Sequence, residues 1–213
     1  MKKRFLSIIL SIAMVLSLSS VAFAGVEGQR TISVTPSVEA KIIDDHTIQF
    51  TEDGVVEIVQ VFDNQVVISN QETGERIVLT INGNTIHSSA TGKTITLTES
   101  EVEAISTAAS HPQTETKKFS YASIKSALGG TATVAGVAGM IVAGLVAAGI
   151  TVPSALPTVI TFLGGITGLV SQVMKGSSSH GIRVDLKEVK RIAHRQGKEY
   201  VVWVWSIDDI GTY

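Results

Sequence analysis

The chain contains no cysteine, so neither a disulfide framework nor thiol chemistry contributes to its fold or its function. Aromatic residues make up only 5% of the 213 residues. The five histidines, at positions 46, 87, 111, 180 and 194, show no His-x-x-x-His pair and no clustered carboxylates. We therefore predict that the protein holds no metal ion and no cofactor.

Catalytic patterns are also missing. The stretch HSSATGKT, residues 87–94, is the nearest approach to a phosphate-binding loop, but His87 stands where that motif requires its first glycine. We interpret it as a turn between two strands. Ser177–Ser179 lie beside His180 in a Gly/Ser stretch without a nucleophile-elbow pattern. The sequence predicts a protein that is not an enzyme and that binds no nucleic acid.

The first residues have the layout of a secretory signal peptide. A basic start, Lys2 to Arg4, precedes an apolar run, and Ala22-Phe23-Ala24 supplies a small-residue cleavage site. We predict that residues 1–24 are removed and that the mature protein begins at Gly25. A basic leader and an exported product without cysteine favour secretion from a Gram-positive bacterium.

Charge is distributed unevenly over the rest of the chain. Residues 25–110 carry thirteen acidic and four basic side chains, whereas residues 111–213 carry six acidic and ten basic ones. An acidic half joined to a cationic half predicts different partners for the two halves, or binding of one half to the other.

Residues 25–110 have the pattern of an antiparallel β-meander. Short alternating or β-branched runs are separated by turn signals, including Asp53-Gly54 and Asn82-Gly83. Thr98 is a predicted N-cap for a short helix over residues 99–108. The stretch from 110 to 120 shows no periodicity, so we predict a linker over residues 111–125.

The most unusual segment is apolar: 49 consecutive residues, 126–174, carry no ionisable side chain. Pro153 and Pro157 divide a predicted helical hairpin, residues 126–175, into two segments at 131–150 and 155–174. Each is about 30 Å long if helical, which matches a bilayer core. Small residues recur every three to four positions and permit close helix packing in lipid. The glycines assigned to membrane insertion and helix packing are Gly136, Gly139, Gly144, Gly164 and Gly168.

Residues 176–213 contain a strand rich in β-branched and aromatic residues, EYVVWVWSI. Residues 182–193 fit a strand or a short helix. We favour a β-hairpin that turns at Gln196-Gly197 and places Lys190 opposite Trp203, Leu186 opposite Ile207 and Ile192 opposite Val201. The predicted fold class is therefore α+β: an N-terminal antiparallel β-meander, a central apolar Gly/Ala-rich helical hairpin and a C-terminal β-hairpin.

Three functions of the apolar hairpin compete: a buried core, an anchor in the producer's membrane, and insertion into a target membrane. The core interpretation is weakened because glycine, alanine and threonine replace the large side chains that usually fill a core. The anchor interpretation places the basic flanks outside the producer, against the usual cytoplasmic enrichment of Lys and Arg. Insertion from outside fits an anionic target membrane, with Lys125, Lys175, Trp203 and Trp205 at the lipid interface.

The order of these features resembles large secreted bacteriocins of Firmicutes, of the geobacillin-like kind. The stretches that carry the resemblance are YASIKSALGG, the Gly/Ala-rich run after it, and the terminal VWSIDDIGTY. The resemblance implies an antibacterial, membrane-directed role, and it identifies no catalytic residue. The expected partners are an anionic bilayer, further copies of the chain through the small-residue rows, and an immunity protein. The alternative is an exported surface protein with a non-enzymatic envelope role, anchored by the hairpin.

Overall fold

A computed structural model describes residues 31–99, 112–130, 132–166, 168–195 and 197–213. The predicted signal peptide and most of the predicted helix at 99–108 lie outside the described residues. Within the described part the fold is mixed α+β, with two antiparallel sheets and four helices. This confirms the predicted α+β class and the predicted antiparallel meander in the N-terminal half.

The N-terminal sheet has eight strands in sequential order, so each strand pairs with the one before it and the one after it. Apolar side chains at alternate positions share one face, and most of them are buried. The strands are β1 (Thr31–Thr35), β2 (Val38–Asp44), β3 (Thr47–Glu52), β4 (Val55–Phe62), β5 (Gln65–Asn70), β6 (Arg76–Asn82), β7 (Thr85–Ser88) and β8 (Thr94–Thr96).

Two of the predicted turns show how local chemistry sets this register. Asp53 and Gly54 both have positive φ, as a type I′ turn requires, and they join β3 to β4. The predicted hairpin at Asn82-Gly83 is confirmed, but its two turn residues are Gly83 and Asn84, one position later. Gly83 has φ +56° while Asn84 is not among the described residues with positive φ, so the turn is of the II′ kind.

The helices are shorter than predicted. They are α1 (Tyr121–Leu128), α2 (Val134–Ala147), α3 (Val152–Gly165) and α4 (Leu169–Lys175). The prediction of one continuous helix over 131–150 and another over 155–174 is therefore wrong. Gly149 takes a positive φ just after α2, and Gly168, also at positive φ, separates α3 from α4. Pro153 stands in the first turn of α3, where its missing N–H costs no hydrogen bond, whereas Pro157 lies inside that helix.

The second sheet has the order β12-β11-β10-β9. Its strands are β9 (Thr98–Glu99), β10 (Thr114–Ser120), β11 (Gly181–Arg195) and β12 (Lys198–Thr212). The interpretation of 110–120 as a linker is wrong for Thr114–Ser120, because Phe119 and Lys117 are buried there and the strand pairs with β11 over seven residues. The C-terminal hairpin is confirmed, with all three predicted cross-strand pairs in register.

The core lies between the first sheet and the helices. Helix α2 crosses strands β3 to β7, and α3 packs on both α2 and β1. Twelve of the fourteen residues of α2, from Val134 to Leu145, are buried. Helix α2 is thus the centre of the described structure and is covered by the N-terminal sheet, whereas α3 and α4 each keep an exposed face.

Candidate functional site

Helix α2 sits close to its neighbours because glycine occupies the contact points. A Cβ added to Gly139 would lie 2.7 Å from both Cδ1 and Cγ1 of Ile68 on β5. At Gly144 it would overlap the ring of Phe119 on β10. A Cβ at Gly136 would lie 3.3 Å from Leu128 Cδ1, which is only a tight contact. Two of the three glycines assigned to helix–helix packing therefore admit side chains from the sheets.

The remaining two glycines of the predicted set serve different purposes. A Cβ on Gly164 would lie 3.6 Å from the carbonyl oxygen of Val34, so this glycine faces the edge strand β1. Gly168 has φ +76° and stands as the N-cap of α4, with no atom near its added Cβ. The G-x-x-x-G spacing of the sequence is thus split between two helices in this structure.

An acidic side chain lies at the start of α2. Glu52, at the end of β3, accepts a hydrogen bond from the backbone N–H of Val134. Partial burial raises the pKa of Glu52, the negative charges of Asp53 and Glu57 raise it further, and the bond to Val134 opposes them. The shallow cavity beside it is also lined by Asn70 and Thr133, and the Thr133 Oγ1 accepts from the Gly136 N–H at 3.0 Å.

The cationic flanks of the apolar segment lie together. Lys125 Nζ donates to the carbonyl oxygen of Met174 at 2.7 Å, and Lys175 is the last residue of α4. Lys175 borders a cavity with Tyr121, His180 and Tyr213. Burial raises the pKa of both tyrosines, and for Tyr121 the neighbouring Tyr213 adds to the effect. The positive charge of Lys118 lies 5.4 Å from the centre of the Tyr213 ring.

The serine and histidine side chains considered for chemistry contact neighbouring loop residues or the backbone. His180 Nδ1 lies 3.1 Å from the hydroxyl oxygens of Ser177 and Ser179, all in an exposed loop. The stretch 87–94 joins β7 to β8, as predicted, and its buried Ser88 donates to the Ala127 carbonyl oxygen at 2.6 Å. Among the described residues no group of three or more His, Cys, Asp or Glu side chains is arranged to hold a metal ion.

The two tryptophans lie on the long C-terminal hairpin. Strand β10 pairs with β11 only as far as Lys187, which faces Thr114. Beyond that point β11 and β12 continue as a two-stranded ribbon, residues 189–204, which ends in a turn at Gly197 with φ +72°. Trp203 lies within this ribbon, whereas Trp205 lies at its base, where Cδ1 is 3.7 Å from a Cβ added to Gly149.

The ribbon is also where apolar side chains are most exposed. Four of the eight large apolar side chains exposed in the described part lie on it: Ile192 at 59%, Val201 at 55%, Tyr200 at 47% and Val202 at 36%. Strand β12 is apolar at six successive positions, from 200 to 205. The structure leaves both faces of its outer end open.

Comparison with protein-family models, with curated proteins and with solved structures found no match to this chain. Among the described residues no single helix is long and apolar enough to cross a bilayer. Helices α3 and α4 have the combined length and composition of a broken span, with an 87° bend between them.

Proposed function

We propose that this is a secreted, membrane-active, bacteriocin-like protein, and that the described structure is its stored state, with the inserting helices held inside. The observation that carries the proposal is the position of the uncharged segment. It lies against a sheet that belongs to the acidic half of the chain, while cationic residues flank it on both sides. In this state the apolar surface is kept from water until the protein reaches a target.

Release of α2 costs less free energy than release of a typical core helix because α2 is built from small residues. Three glycines and four alanines stand among its fourteen residues. Each buries less apolar area than leucine or isoleucine does, and about 25 cal/mol is lost for every Å² of apolar surface returned to water. A helix of this composition therefore leaves the sheet at a smaller cost than a leucine-rich core helix of equal length, and a bilayer offers its surface an apolar environment again.

Insertion requires rearrangement as well as release. Fourteen helical residues span about 21 Å, less than the roughly 30 Å of a bilayer core. Helix α2 would have to extend over the whole predicted segment 131–150, about 30 Å, and its passage through Gly149 costs the left-handed turn found there. Once released, Gly136, Gly139 and Gly144 no longer face Leu128, Ile68 and Phe119. Their surfaces are then free to pack against another helix in lipid.

The test is a reversible tether between α2 and the sheet. In the double variant Gly139→Cys with Ile68→Cys, the new side chain occupies space vacated by isoleucine. Ile68 Cγ1 is 2.7 Å from the added Cβ of Gly139. One carbon–carbon bond of about 1.5 Å separates Cγ1 from the Ile68 Cβ, so the two Cβ atoms are at most about 4.2 Å apart, within disulfide range. Because the chain has no native cysteine, no other disulfide competes.

We expect the mature protein to release dye from anionic vesicles, the oxidised tether to abolish release, and reduction to restore it. A disulfide between Gln49→Cys and Ile58→Cys, which face each other on β3 and β4, is the control that leaves α2 free. Release that is equal with and without the tether would contradict insertion of α2. A mature protein that binds vesicles without releasing dye would favour the surface-anchor function, and one that neither binds nor releases would identify the segment as a permanent core.

A further inference from the structure

The projecting ribbon, residues 189–204, combines exposed apolar side chains with positive charge. Four basic residues and one acidic residue lie within it. His194 Nε2 and Glu199 Oε1 are 3.2 Å apart near the turn, so the single carboxylate is engaged by a neighbour on the ribbon itself. The basic residues are Lys190, Arg191, Arg195 and Lys198.

Apolar groups occupy both faces of the ribbon. Residues that face each other across an antiparallel pair project to the same side. Ile192 faces Val201 and Lys190 faces Trp203, so one face carries three apolar side chains beside a lysine. Tyr200 faces Ala193 and Val202 faces Arg191, which gives the other face a similar mixture. A flat protein surface would cover one of these faces and leave the second in water.

We infer that this ribbon is a docking element for anionic lipid surfaces, lying in the headgroup layer with both faces in contact with lipid. The charge is complementary to that surface, and Trp, Tyr, Lys and Arg are the side chains that favour the boundary between water and lipid. The inference rests on the proposed membrane-directed function and names the element that makes first contact, before any helix leaves the core.

The unpaired backbone groups along the edges of the ribbon limit how deeply it enters the membrane. Strand β12 lies at the edge of its sheet in the described part, and β11 has no further partner strand there beyond residue 188. Unpaired N–H and C=O groups cannot be satisfied inside the hydrocarbon core, so a two-stranded ribbon does not cross it. The headgroup layer still holds water that pairs with these edges. Seven residues per strand reach about 20 Å, enough to hold the rest of the protein beside the membrane.

The chain carries its own probe for this contact. Its two tryptophans, Trp203 and Trp205, lie within the ribbon and at its base, so intrinsic fluorescence reports this element directly. On addition of vesicles that contain phosphatidylglycerol, we expect the emission of the full mature protein to shift to shorter wavelength. A spin label near the headgroups should quench it more strongly than a label at the chain ends. Pure phosphatidylcholine vesicles should give a much smaller response.

Two ribbon variants and two matched controls complete the experiment. Ile192→Thr with Val201→Thr and Val202→Thr removes apolar surface while keeping β-branched side chains. As the control, Ile43→Thr with Phe62→Thr removes apolar surface at exposed sites on the first sheet. The second ribbon variant, Lys190→Gln with Arg191→Gln and Lys198→Gln, removes three positive charges. Its control removes three positive charges from the acidic half of the chain, by Lys41→Gln with Arg76→Gln and Lys93→Gln. We expect both ribbon variants to bind anionic vesicles roughly 10- to 100-fold more weakly, and both controls to bind as the wild type does.

The outcomes separate this inference from the proposed function. The oxidised Gly139→Cys, Ile68→Cys protein should still bind and shift its fluorescence without releasing dye. Binding and a fluorescence shift without dye release in the wild type would end the proposed function and leave the ribbon inference standing. Dye release that persists in both ribbon variants, with unchanged tryptophan emission, would overturn the inference and leave the function. A dimer that forms without lipid and is lost in the ribbon variants, with no response to vesicles, would overturn it in favour of a second copy.

Discussion

The contact between Gly144 and Phe119 makes the substitution Gly144→Ala a sensitive test of the described packing. Alanine is the better helix former, by about 1 kcal/mol over glycine in a helix interior. Propensity alone therefore predicts a more stable protein. In the structure, however, the new methyl group would overlap Cε1 and Cζ of Phe119, and it would also lie 3.2 Å from Cδ1. Ordinary contacts between carbon atoms lie at about 3.5 to 4.0 Å.

The ring has little room to move away. Phe119 is 3% exposed and lies on β10, whose backbone is fixed by pairing with β11 at Ile182. Overpacking of this kind costs about 1 to 3 kcal/mol and sometimes more. Because the added Cβ would overlap both Cε1 and Cζ of Phe119, we place the cost at about 2 to 3 kcal/mol. After the gain in propensity of about 1 kcal/mol, we expect Gly144→Ala to lower the free energy of unfolding by about 1 to 2 kcal/mol. For a protein of this size, that corresponds to a fall in Tm of roughly 2 to 8 °C.

The assay is urea unfolding of the mature protein, followed by circular dichroism. Gly165→Ala, at the end of α3 with no atom within 4 Å of the added Cβ, should change stability by less than about 0.5 kcal/mol. Combining Gly144→Ala with Phe119→Leu should cost less than the two single changes added together, because the smaller side chain relieves the overlap. If Gly144→Ala is as stable as the wild type or more so, α2 does not pack against β10 as described.

Three further predictions follow from particular residues. Gly83→Val should destabilise the protein by about 1 to 3 kcal/mol, because valine resists the positive φ of the β6–β7 turn, and an unchanged Tm would mean a different turn. Glu52→Gln keeps an acceptor for Val134 and should raise Tm at pH 7. Because the folded-state pKa of Glu52 is raised, its charged form disfavours folding, and the difference in Tm should disappear as the pH falls below about 4, where wild-type Glu52 is protonated in both states. N-terminal sequencing of the secreted protein should begin at Gly25, and retention of Met1 would contradict the predicted export.

Local chemistry was sufficient to predict strands β3 to β8 and the C-terminal hairpin, whereas β1 and β2 were not recognised as separate strands. Type I′ and II′ turns need positive φ, so Asp53-Gly54 and Gly83 mark where the chain reverses. Once the turn at Gly197 is placed, antiparallel pairing fixes the partners from Arg195 back to Leu186, including Lys190 with Trp203, and only beyond Leu186 does a bulge shift the register. These features depend on residues close together in the chain, and for that reason they could be predicted from the sequence without knowledge of the fold.

The sequence by itself also determined that residues 126–174 carry no ionisable side chain and are rich in small apolar residues, but it did not determine what covers them. The same small residues suit a close helix contact in lipid and a close sheet contact in a protein, because both require the absence of a side chain at the contact. Only the tertiary structure placed Ile68 and Phe119 at Gly139 and Gly144, and it brought residues 114–120 into a sheet with residues some seventy positions later. Such long-range contacts leave no periodic signal in the chain, since their energy comes from the partner that each residue meets after folding.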